Sequence, residues 1–96
     1  MVITLKKFGY VLTSRQAGAE AYAAFLPSLA GVGDKEEISV DFDGVNTFSP
    51  SWGDEFLTPL AERFGNRLVL LKTANPSVAL TVETLEIING RKFRVA

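Results

Sequence analysis

The chain has 96 residues, with 10 Lys and Arg against 11 Asp and Glu, a formal charge of −1, and neither Cys nor His. That length makes one domain, residues 1–96, able to bury about 60–70% of its unfolded surface without staples. The near-neutral charge argues against a broad grip on nucleic acid. The missing thiols and imidazoles remove disulfides, thiolate zinc sites, thiol catalysis and the usual base near neutral pH. No run approaches the ~20 apolar residues of a membrane span, and Lys6 and Lys7 follow the apolar start, the reverse of a secretory signal. A cytoplasmic, soluble protein without cofactor is expected.

Val2 to Lys6 is β-branched at Val2, Ile3 and Thr4 and reads as a first strand, at an edge. From Leu12 the period changes: Thr13 and Gln16 make a capping box, and Ala17, Ala21, Ala24, Phe25 and Leu29 share a helical face. Pro27 ends or kinks this helix near Leu26, and Gly31 to Asp34 forms a loop. Ile38 to Phe42 reads as a buried strand running into turn residues at Gly44 and Asn46. Ser49-Pro50 supplies an N-cap with proline at the first helical position, Ser51 with Asp54 being a competing start. Trp52, Phe56, Leu57, Leu60, Ala61 and Phe64 follow as an apolar stripe that Gly65 terminates, with Pro59 expected to bend the helix or make its first turns irregular.

Leu68 to Leu71 has no alternation, as expected of a central strand covered on both faces. Asn75-Pro76 repeats the cap-plus-proline signal. Beyond it the reading divides. The β-branched run Thr81 to Ile88 and Asn89-Gly90 suit a hairpin, but the well-formed start and the βαβ rhythm favour a helix stopped at Asn89-Gly90, followed by a short strand or loose tail. As a helix it turns Leu80 and Ile87 away from its main stripe, which asks for a second layer or a partner. The whole is an α/β chain, β-α-β-α-β-α, with a mixed sheet and helices packed against it.

Two stretches carry candidate chemistry. Asp41-Phe42-Asp43-Gly44-Val45 places two carboxylates at a strand end and resembles the first motif of haloacid-dehalogenase-like phosphatases. That resemblance implies Asp41 as nucleophile, Asp43 as general acid and magnesium between them, with Thr73 in the place of the phosphate-binding hydroxyl. That family needs a later Lys and a further acidic cluster to hold the metal, and the acidic residues after Thr73 are only Glu83 and Glu86, beside no second Asp. The simpler reading is a pair of turn-forming carboxylates.

The second resemblance covers most of the chain. Val40 to Val45, Phe48-Ser49-Pro50-Ser51, Asp54-Glu55-Phe56, the strand at Leu68, Asn75-Pro76 and, upstream, Ser14-Arg15 together are similar to the STAS-like domains related to anti-sigma-factor antagonists. This implies a non-enzymatic regulatory module that docks a protein partner, a kinase-like ATPase, through the turn before the second helix, without metal or membrane. The corresponding turn of those antagonists reads Asp-Ser-Ser-Gly, its first Ser being phosphorylated. Here Pro50 falls on that position, flanked by Ser49 and Ser51 as candidate phosphoacceptors. The resemblance places partner binding at Ser49, Ser51, Trp52, Asp54 and Glu55. Taken singly, these residues also have plainer readings. Either serine suits a helix cap, Trp52 suits a core position as well as an exposed anchor, and Asp54 and Glu55 suit the first-turn dipole. Arg91, Lys92 and Arg94 are the one basic cluster and read as a solvated edge.

Overall fold

The computed structural model describes residues 1–96. Local capping chemistry sets most of the helix boundaries. Helix α1 runs Arg15–Phe25 and passes at Leu26 into a 3₁₀ turn carrying Pro27. Its cap is Ser14, whose hydroxyl accepts from the Ala17 amide at 3.0 Å, so a simple N-cap one residue on replaces the capping box expected of Thr13 and Gln16, and Gln16 donates instead to Glu20. Helix α2 runs Pro50–Phe64, capped by Ser49 and stopped at Gly65, where φ is +56°. Pro59 lies inside α2 without ending it. Helix α3 runs Pro76–Asn89 from an Asn75 cap to Gly90 in the left-handed region, which settles the C-terminal ambiguity in favour of the helix. No helix is long and apolar enough to cross a membrane.

The strands are β1 (Val2–Thr4), β2 (Val11–Leu12), β3 (Ile38–Asp41), β4 (Thr47–Phe48), β5 (Leu68–Leu70) and β6 (Arg94–Val95). The main sheet has the order β1-β3-β5-β6. Every ladder is parallel, including the small separate pair β2-β4, so the mixed sheet expected from sequence resolves into parallel pairing throughout. The reason is connectivity: β1, β3 and β5 are each followed by a helix that returns the chain to the same end of the sheet. Right-handed crossovers stepping always in one direction put all three helices on one face.

The helices cover one face of the sheet, yet all three residues of β5 are buried, as expected of a strand covered on both faces. Ile3, Ile38, Val40, Leu68 and Leu70 join the single core, while Val2, Thr4, Ser39 and Asp41 turn the other way and are exposed or half-buried. Val69 is buried but stands outside that core. Its register partner Arg94 crosses β5 to pair with Glu37, and the stem of that side chain lies beside Val69.

The helical side of the core is aromatic. Trp52 stacks on Phe56 with ring centroids 5.0 Å apart and meets Phe48 and Phe8 at 5.8 and 6.0 Å. To seat this cluster, α1 and α2 approach closely at Gly18, where a methyl group would stand 2.6 Å from the Trp52 carbonyl oxygen. Helix propensity alone favours alanine there by about 1 kcal/mol. The obstacle is backbone, so the overpacking cost of about 1–3 kcal/mol wins. Gly18→Ala is therefore expected to lower the urea midpoint, and an unchanged or raised midpoint would show that the two helices are free to separate.

Candidate functional site

The serine turn sits where β3 has left the sheet and α2 begins, at the carboxyl rim of a parallel sheet. Backbone geometry fixes it first. The Ser49 amide donates to the Leu12 carbonyl at 2.9 Å, and the Asn46 and Thr47 amides both donate to Tyr10. Phe48, in β4, turns its own amide and carbonyl away from β2 and towards α3. There the Ser77 hydroxyl accepts from the Phe48 amide at 2.9 Å and donates back to the Phe48 carbonyl at 3.1 Å, while the Thr81 hydroxyl donates to the same carbonyl. Asn75 adds Nδ2 bonds to the Val45 and Asn46 carbonyls at 2.8 and 3.0 Å.

Against this frame the two serines part. The Ser49 hydroxyl is engaged twice, accepting from the Trp52 amide at 3.3 Å and donating to the Thr13 carbonyl at 2.8 Å, which makes it the helix cap. Ser51, in the first turn of α2, is half-buried and its hydroxyl makes no hydrogen bond within the chain. Trp52 is 1% exposed and belongs to the aromatic core, so the anchor role is corrected: it offers no surface to a partner. The sequence admitted both readings, and the packing of the ring against Phe8, Phe48 and Phe56 decides between them.

Asp54 and Glu55 are half-buried and tied to one cation. Arg15, at the start of α1, donates to Asp54 Oδ2 at 3.1 Å and Glu55 Oε1 at 2.9 Å, and its side chain remains 55% exposed. The second oxygen of Asp54 accepts from the Thr58 hydroxyl at 2.8 Å, and Asn89 of α3 donates to that hydroxyl at 3.2 Å. A polar chain thus runs from α1 through α2 to α3. The Thr58 hydroxyl first, and then Arg15, hold the Asp54 carboxyl below its ordinary value.

Two exposed residues of the rim are missing from the sequence reading. Tyr10 and Val11, beside the serine turn in and before β2, are 69% and 61% exposed. The Tyr10 and Leu12 carbonyls are both turned inward, so the alternation of the strand leaves the Val11 amide and carbonyl on its outer edge. An aromatic and a β-branched residue ahead of the cap were the available signal; a two-residue strand has no periodicity to reveal it.

The carboxylate pair behaves as a turn. Asp41 Oδ1 accepts from the Asp43 amide at 3.0 Å across Phe42, and Gly44 follows with φ at +84°. Neither aspartate joins a cluster of three potential metal ligands, and Thr73 caps its own turn by accepting from the Asn75 amide.

This is a two-layer α/β domain with a parallel sheet and a capped-helix rim. Residues 18–79, more than half of the chain, match the family described as a STAS-like domain of unknown function, DUF4325, and the chain belongs to that family. No curated protein and no solved structure matches it. The match holds the serine turn and the central strands and leaves out β2, Arg15 and most of α3.

Because the folded pKa of Asp54 is depressed, its contribution to stability is present above the ordinary aspartate range and is lost as pH falls through the folded value. Asp54→Asn should therefore melt earlier in urea than the parent near neutral pH, and the two midpoints should converge below about pH 4. A difference that stays constant across that range would detach Asp54 from the network.

Proposed function

We propose that this chain is a non-catalytic regulatory module that docks a protein partner on the rim formed by Tyr10, Val11, Ser51 and the Arg15-Asp54-Glu55 cluster. The partner suggested by the resemblance to anti-sigma-factor antagonists is a kinase-like ATPase. The observation that carries the reading is the Ser51 hydroxyl, left without a hydrogen bond in the first turn of α2, on the rim whose preceding strand β4 pairs with the exposed Tyr10-Val11 segment. Membership of a STAS-like family supports it.

The same geometry suggests how binding is switched. Phosphate on Ser51 adds about −1.5 to −2 charges at a helix N-terminus, where amide groups and the dipole favour an anion. Asp54 and Glu55 lie three and four residues further on and repel it. Arg15 is the nearby cation, and drawing it towards the phosphate loosens its hold on both carboxylates. Phosphate on Ser49 instead destroys the cap and its bond to Thr13, at a cost of about 1–2 kcal/mol before any gain.

Co-purification or anisotropy with an ATPase of the anti-sigma kinase class tests the reading. Tyr10→Ala should weaken the complex by about tenfold, as for an exposed aromatic anchor, and Ser51→Glu should weaken it further, while both variants keep the parent urea midpoint. Unchanged binding by both variants would remove the rim from the interface. For the rival reading, a magnesium-dependent phosphatase using Asp41 and Asp43, the expected result is no turnover of a phosphate monoester. Activity that Asp41→Asn abolishes would overturn the non-catalytic assignment.

A further inference from the structure

At the pole opposite the serine turn, by the amino-terminal edge of the sheet, two adjoining cavities of about 250 and 230 Å³ share Ala61, Glu62, Arg91 and Phe93. They form one groove between the C-terminal half of α2, the end of α3 and the tail. The floor is apolar, built on buried Leu85 and Ala61 with Phe93 half-buried beside them. One wall is polar and already set, because Asn89 donates to Thr58 across it. The tail is pinned in place by the Phe93 amide, which donates to Glu86 Oε2 at 2.8 Å.

The charge of the rim points to the occupant. Arg91, Lys92 and Arg94 follow one another along it, and they are not equally committed. Arg94 is held by Glu37, and Lys92 leans on Glu86 at 3.7 Å with its side chain 90% exposed. Arg91 takes part in no ion pair at all. A guanidinium with all its donors free beside an apolar floor is complementary to a carboxylate carried next to an apolar side chain. Glu62 lines both cavities and Glu86 lies against the tail, so a polymer with a negative charge on every unit meets repulsion here. A peptide can instead bring an amide or an apolar residue to those points.

We propose that this groove is a second interaction surface, for an extended acidic segment of a partner protein. Its basic rim lies beyond the residues of the family match, so it belongs to this chain's own C-terminal part. It is independent of the serine turn and stands or falls separately from the rim reading.

The test uses the full chain and a fluorescein-labelled peptide of alternating Glu and Leu, followed by anisotropy. A Gln-Leu peptide and a single-stranded oligothymidylate serve as the comparisons. The acidic peptide should bind and weaken as salt is raised, and Arg91→Glu should weaken it by about tenfold. Arg91 is exposed and unpaired, so that variant keeps the parent urea midpoint; Lys92→Glu gives a second reading of the same rim. Tyr10→Ala and Ser51→Glu should leave this binding unchanged. Equal binding of the Gln-Leu peptide, tighter binding of the oligonucleotide, or indifference to both charge reversals would overturn the proposal.

Discussion

The backbone of Phe48 is the constraint on which the rim depends. Its side chain is 1% exposed, so its amide and carbonyl must find partners inside the protein, and leaving either unpaired costs about 1–3 kcal/mol. The strand β4 is too short, and paired on too few sides, to supply them. Helix α3 does so through Ser77 and Thr81, which fastens the start of α3 to the residue immediately before the α2 cap. From there the geometry propagates in order. Ser49 is set against Thr13, α2 leaves at a fixed angle, Trp52 enters the core, and Ser51 is turned to a position with no partner of its own.

Much of this was legible where chemistry is local. Asn75-Pro76, Ser49-Pro50 and Gly65 marked helix ends correctly because a cap needs only its own few residues and a left-handed stop needs only a glycine. Pro27 likewise ended α1 close to the expected residue. What sequence could not show was set from a distance. Both Ser49 and Ser51 look like caps, and the choice falls to the Thr13 carbonyl, 36 residues upstream. The side of Trp52 is decided by rings distant in sequence or set by the turn, Phe8 and Phe48, against which its indole packs. The strands β2 and β4 were invisible because two residues cannot alternate, so Tyr10 and Val11 went unread as surface. The Asp41-Asp43 pair looked like chemistry in sequence because spacing records residue types, while the Asp43 amide that occupies Asp41 is a feature of the folded turn.

The two ends of α2 carry different chemistries for a physical reason. At its start, free amides and the positive end of the dipole favour anions, and the chain has placed Asp54 and Glu55 within the first two turns together with Arg15 to neutralise them. At its far end the helix layer runs out beside the tail, and the cations Arg91, Lys92 and Arg94 gather there. Asp54, Thr58 and Asn89 form the polar line between these ends, and Thr58 and Asn89 also line the groove.

In the proposed switch, Arg15 is the shared element whose allocation would give the rim two states. A guanidinium has five donors in a planar fork, enough for two carboxylates but not for two carboxylates and a phosphate at full strength. With Ser51 unmodified, Arg15 is divided between Asp54 and Glu55, both oxygens of Asp54 are satisfied, and the outer surface keeps a half-exposed cation. A doubly charged phosphate one turn earlier competes for the same fork, and charge-assisted bonds to phosphate are at least as strong as those to carboxylate. On that proposal the move would expose Glu55 and leave Asp54 supported by Thr58 alone, so a single added group would alter the charge of the rim. The buried aromatic cluster beneath does not have to move for this to happen, so the proposed release of a partner would require no unfolding of the domain.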